Sequence, residues 1–268
     1  MVVLLGAASA SAGELPAAFT NQYRPAVEKL RQAYSTLTAD GMVTVDYPRD
    51  SKSSDQNFEF RAAGESRRLD LTVVAQKNMG LTVGANLLRM ATPSGSLNAE
   101  TLPGHDVFDD AQQTGYDETV AAVNRGCLLT YPYALDSQTT ILDMLHSSTV
   151  KVTGVKWVRE QGRPLVQIDY VQEGTHAGKT GRWKSVIRLS PDDGWAARSF
   201  SHTLGQGHRA ISQTGHLEYT TTPTGIPQVL AIHVETSEGG QLIRRQLVQV
   251  NSIDFSHPEK RSFTAYEF

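Results

Sequence analysis

Three turn clusters in the C-terminal third constrain this chain more than anything else in it. Ser190-Pro191-Asp192-Asp193-Gly194, Thr221-Thr222-Pro223-Thr224-Gly225 and Ser237-Glu238-Gly239-Gly240 each combine residues suited to tight turns. Proline presets φ, aspartate bonds its own backbone, and glycine accepts positive φ. The runs between them are rich in strand-forming residues, so 182–255 is predicted to be an antiparallel meander. Folding the second turn about its middle sets Tyr219 opposite Leu230, Leu217 opposite Ile232 and His216 opposite His233. Side chains alternate between the faces of a strand. Leu217, Tyr219, Leu230, Ile232 and Val234 therefore share one face, and His216, Glu218, His233 and Glu235 share the other. Carrying the register through the third turn brings Ile243 beside Val234, Leu247 beside Leu230, and Arg245 toward the apolar face beside Ile232.

The rest of the chain extends this pattern. Phe19, Tyr23, Val27, Leu30, Tyr34 and Leu37 recur at helical spacing, and Pro25 sets the expected start of the regular helix near Arg24. Strands are expected at 42–47, 57–61, 67–74, 80–90 and 97–102. Helical spacing returns over 116–129, and Asp136 or Ser137 is placed to cap a short helix through Ile141, Leu142 and Leu145. Strands resume at 151–159 and 165–171, and 262–268 is strand-like. The predicted fold class is mainly β (α+β): a curved antiparallel sheet or incomplete barrel of roughly ten strands with about three helices.

The first residues, MVVLLGAASASAGELP, have the apolar run and small-x-small pattern of a secretory signal, without the charged leader. Residues 1–12 are read as its remnant and 13–268 as a single domain, which places the protein in the periplasm or cell envelope. With 268 residues the chain is long enough to bury a sizeable core. The net charge of −3 and the scattered basic residues argue against nucleic-acid binding. No apolar run approaches the roughly 18 residues of a membrane span. The single cysteine, Cys127, sits among apolar neighbours and is expected to be a buried structural thiol.

Local motifs assign no chemistry. His216, Glu218, His233 and Glu235 include ligand types that suit zinc, but such cross-strand pairs also mark the solvent face of any antiparallel sheet. Gly104-His105-Asp106-Val107-Phe108-Asp109-Asp110 lacks calcium-loop spacing. Gly205-Gln206-Gly207, flanked by His202 and His208, suits a hairpin turn better than a phosphate loop. Gly-x-Ser-x-Gly and His-Glu-x-x-His are both missing. No cofactor is expected.

The order of elements, together with Arg188-Leu189-Ser190-Pro191-Asp192-Asp193-Gly194-Trp195, Gly215-His216-Leu217-Glu218-Tyr219 and Pro223-Thr224-Gly225-Ile226-Pro227, resembles the periplasmic lipoprotein-carrier (LolA/LolB-like) superfamily. The resemblance implies a half-barrel whose helices cover an apolar concave surface, with lipid or lipoprotein acyl chains as partners. On that basis the leading expectation is a non-enzymatic carrier with an apolar cavity lined by Leu217, Tyr219, Leu230, Ile232 and Val234. Arg245 facing that cavity would pair with an acidic or phosphate head group, but an edge-strand arginine snorkelling outward is the favoured reading. An envelope hydrolase would instead show a polar cleft with perturbed acids or histidines. A structural or assembly protein would fill its sheet with side chains and present an edge strand or apolar patch.

Overall fold

The computed structural model describes residues 15–105, 110–135, 139–176, 179–222 and 225–255. The stretch read as a signal remnant at 1–12, the strand expected at 262–268 and most of the 104–110 cluster lie outside them. The strands are β1 (Thr36–Tyr47), β2 (Lys52–Ala63), β3 (Ser66–Lys77), β4 (Asn86–Thr92), β5 (Gly95–Thr101), β6 (Asp110–Gln113), β7 (Val150–Glu160), β8 (Arg163–His176), β9 (Lys179–Ser190), β10 (Ala196–Leu204), β11 (Ile211–Thr221), β12 (Pro227–Glu238) and β13 (Gln241–Asp254). The helices are α1 (Ala17–Tyr34), α2 (Tyr116–Cys127) and α3 (Ile141–Leu145).

All thirteen strands form one antiparallel sheet in the order β6-β5-β4-β3-β2-β1-β13-β12-β11-β10-β9-β8-β7. Two meanders, β1–β6 and β7–β13, are joined where β1 pairs with β13. β6 and β7 are the edges and do not meet, so the barrel is open. The one long connection, from β6 to β7, carries α2, α3 and the loop between them.

Curvature brings the inner face around a single large core. At two positions it depends on glycine. Gly41 on β1 faces Phe58 on β2, and Gly215 on β11 faces Phe200 on β10. A Cβ on either glycine would run into the opposite ring, so each phenylalanine lies flat across its neighbour strand.

Helix α1 buries the expected stripe of Phe19, Tyr23, Val27, Leu30 and Tyr34. Its start differs from expectation, because Pro25 lies inside the helix and the first turn begins at Ala17. An interior proline costs about 3 kcal/mol. Pro25 and Asn21, whose carbonyl loses its donor, both face solvent, so water replaces the lost bond. Burial of Phe19 and Tyr23, at roughly 1.5–3 kcal/mol per large apolar side chain, offsets the rest. The helix also ends earlier than expected. Leu37 is fully buried, but on β1.

The short helix α3 starts later than its expected cap. Asp136 and Ser137 lie outside the described residues, and the cap is Thr140, whose Oγ1 accepts from the Asp143 N–H at 3.1 Å. The 80–90 segment is strand only from Asn86.

Candidate ligand-binding face

The concave face is an apolar field in register. Leu217 lies opposite Ile232, Ile232 opposite Val248 and Val248 opposite Val43. All four are essentially inaccessible to solvent, and Val234 and Val229 extend the field along β12. Of the expected lining residues, Leu217, Ile232 and Val234 are on this face. Tyr219 is half-buried against the core, and its hydroxyl donates to the Ala197 carbonyl at 2.5 Å. Burial, reinforced by the nearby Tyr34 hydroxyl, holds its phenol well above the ordinary range.

Leu230 and Arg245 are not on this face. A bulge between Glu218 and Tyr219 makes Val229 the partner of Tyr219. Val229 points in, and Leu230 points out with 44% of its surface exposed. On β13 the expected register slips. Gln246 rather than Ile243 opposes Val234, and Leu247 opposes His233. Arg245 therefore lies outside, with its Nε 3.0 Å from Glu235. His216 does oppose His233, and with Glu218 and Glu235 these residues stand exposed on the convex face. Among the described residues no group of three or more His, Cys, Asp or Glu side chains is arranged to hold a metal ion.

A lid covers the apolar field. It consists of α1, α3 and the loop 128–135, whose Leu128, Leu129, Tyr131 and Leu135 are buried with the sheet residues. Polar bonds tether it at several points. The Tyr34 hydroxyl donates to the Pro227 carbonyl at 2.8 Å and accepts from the Val229 N–H at 3.3 Å. The Ala197 N–H donates to the Pro132 carbonyl at 3.0 Å, Tyr133 is hydrogen-bonded to Arg67, and beside the lid Gln246 Nε2 donates to the α2 carbonyls of Arg125 and Gly126. Aromatic contacts do the rest: Tyr34 with Tyr133 and Phe255, Tyr131 with Phe200, and Phe19 with Trp195. Cys127 is the buried last residue of α2, and burial pushes its thiol up to about 12.

The expected open apolar cavity is filled by this lid. A gap of about 840 Å³ remains where α1, α2 and the loop meet, lined in part by Arg31, Arg67, Tyr116, Asn124, Thr130 and Tyr133. Asn124 Oδ1 and Thr130 Oγ1 are buried there with no hydrogen-bond partner.

A second feature lies deeper, and sequence reasoning missed it. Tyr170, Ser185, His202, Gln213, Thr236 and Arg244 stand side by side on six successive strands, β8 to β13. Strand alternation puts this polar belt on the same face as Phe200, Leu217, Ile232 and Val248. All but Arg244 are at most 4% exposed. His202 Nδ1 and Ser185 Oγ are 2.9 Å apart. The signal was present in the sequence: the apolar positions at 217, 232 and 248 continue at even spacing into 213, 236 and 244.

No protein-family model and no curated protein matches the chain. Solved structures do match. An outer membrane lipoprotein-sorting protein domain from Vibrio parahaemolyticus superposes with a TM-score of 0.53 at 9% identity, over 91% of this chain and 97% of that one. This chain shares the fold of that domain. A LolA superfamily protein from Nitrosomonas europaea gives a TM-score of 0.46 at 9% identity, over 91% of this chain and 97% of its own. A DUF1329 family protein from Desulfovibrio piger gives 0.46 at 8% identity, over 91% and 99%.

Proposed function

We propose that this protein is an exported binding or carrier protein of the cell envelope that shelters an acyl-type apolar ligand between the concave sheet and its lid. The observation that carries this reading is a continuous apolar field on an open half-barrel, covered by α1, α3 and the loop 128–135 through apolar and aromatic contacts. The lipoprotein-sorting description of the Vibrio neighbour is consistent with it. In the structure the lid occupies the ligand's place. An acyl chain would displace Leu128, Leu129 and Tyr131 and bury its own surface instead, at about 0.8 kcal/mol per CH₂. A chain of about fourteen carbons recovers on the order of 10 kcal/mol, comparable to reburying several large side chains, so the exchange is close to balanced and reversible. No bond is made or broken.

One observation favours a second reading. The filled concave face, with Trp157 44% exposed on the edge strand β7, suits a structural or assembly protein. Support for a hydrolase is weaker. Burial suppresses the ionisation of Tyr23, Tyr34 and Cys127, so they hold their protons rather than take others.

Native mass spectrometry with organic extraction, on protein purified from its own envelope fraction, separates the readings. A co-purifying lipid or acylated peptide supports the carrier. A clean apo mass with no later uptake of a fluorescent fatty acid supports the assembly protein.

A further inference from the structure

Arg244 and Arg245 are neighbours in sequence on opposite faces of β13. Arg245, outside, is neutralised by Glu235. Arg244, inside, has no counter-charge among the described residues. Its side-chain hydrogen bond runs from Nη2 to Gln246 Oε1 at 2.6 Å, and its Nε is buried without a partner. Gln246 is itself fixed, because its Nε2 is engaged by the α2 carbonyls of Arg125 and Gly126. The guanidinium is therefore held in place with donors to spare.

Two strands away in the same belt, Gln213 is 4% exposed and its Oε1 also lacks a partner. Thr236 lies between them, opposite both. Neighbouring strands are about 4.8 Å apart, so the two backbones are roughly 10 Å apart with both side chains on one face. One small oxygen-bearing group can bridge that span. Arg244 is partly exposed, but its Nε–H is buried and unmatched, as is the Gln213 amide oxygen. Such groups are costly to leave unpaired, and an acceptor that takes the Nε–H and the turned amide N–H removes that cost. Arginine is suited to carboxylate and phosphate, and a carboxamide can turn either its donor or its acceptor end to the ligand.

We propose that Arg244 and Gln213 form a subsite for one anionic oxygen group, a carboxylate or a phosphate, at the polar end of the sheltered amphiphile. This rests on the carrier reading, in which the neighbouring apolar field takes the chain. The ligand is then an acidic amphiphile, oriented with its head at the belt.

The test measures binding of a fluorescent long-chain fatty acid and of the fluorescent alcohol of the same chain. Both are applied to the full chain, to Arg244→Gln and to Gln213→Leu, with inorganic phosphate as competitor. The full chain should bind the acid about tenfold or more tightly than the alcohol, as a charge-assisted contact provides. Arg244→Gln should remove that preference and leave alcohol binding unchanged. Gln213→Leu should narrow the preference without lowering the melting temperature, because it deletes an unmatched buried amide. It keeps the test decisive should Arg244→Gln misfold. Displacement of the acid alone by phosphate supports the subsite with a phosphate head as occupant. Resistance to phosphate supports a carboxylate head. Equal affinity for acid and alcohol, or equal losses of both in Arg244→Gln, overturns the subsite and leaves the carrier reading standing. Failure of both probes to bind the full chain overturns the carrier reading, and the subsite with it.

Discussion

Tyr34→Phe removes one oxygen atom from the lid and leaves its apolar contacts intact. In the folded chain that oxygen serves two buried backbone groups at the start of β12, the Pro227 carbonyl at 2.8 Å and the Val229 N–H at 3.3 Å. A net hydrogen bond contributes about 1 kcal/mol, and a buried group left without a partner costs about 1–3 kcal/mol. The second contact is long, so the sum falls at about 2–3 kcal/mol. For a chain of this size each kcal/mol lowers the melting temperature by about 2–4 °C, which gives a drop of roughly 5–10 °C. Urea denaturation and a thermal melt followed by circular dichroism measure it directly. The same change loosens the attachment of α1, so an acyl probe should associate faster with Tyr34→Phe than with the parent. A stability loss below about 0.5 kcal/mol would show that water replaces the hydroxyl, and that it is no tether.

Three further outcomes follow from the structure. Gly215→Ala drives a methyl group into the Phe200 ring and should cost about 1–3 kcal/mol, as overpacking does; Phe200→Leu in the same chain should recover part of it, which a double-mutant cycle in urea detects. Arg198 is almost buried, with its Nε 3.1 Å from Asp193 and Nη1 donating to the Leu217 carbonyl. Arg198→Met strands the Asp193 carboxylate and should cost about 3–5 kcal/mol, whereas the added change Asp193→Asn should restore much of that, and a double variant no more stable than the single one would refute the pairing. Because Cys127 is raised to about 12 from an unfolded value of 9.0, the folded state holds that proton longer. Its contribution is complete below pH 9.0 and is lost as pH rises toward about 12. At pH 8 a thiol reagent should label Cys127 only after urea unfolding, and fast labelling of the native protein would contradict its burial.

The fold was legible where side-chain parity and turn chemistry agreed. The β11–β12 register was read correctly from its turn residues as far as Glu218. Beyond that point a bulge with no glycine or proline to announce it turned Leu230 outward. β13 was misread for a different reason. Gly239 and Gly240, both at positive φ, form a two-residue turn. A second bulge between Thr236 and Ser237 then shifts the register again. A slip of this kind reverses every face, which is how Arg244 rather than Arg245 came to lie inside. In α1, proline punctuation was outweighed by burial of Phe19 and Tyr23. The candidate site was less legible than the fold. His202 carries no local signal, because its burial depends on six strands meeting in register. The filling of the concave face by residues 128–135 depends on tertiary packing that no local motif encodes.

The central claim is that the lid and an acyl chain compete for one apolar face. Hydrogen exchange followed by mass spectrometry across a fatty-acid titration tests it most directly. The account predicts saturable binding in which amides of α1 and of residues 128–135 exchange faster as ligand is added, while the β1–β13 pairing stays protected. Binding that leaves the exchange of those segments unchanged, or no binding at all, would contradict it.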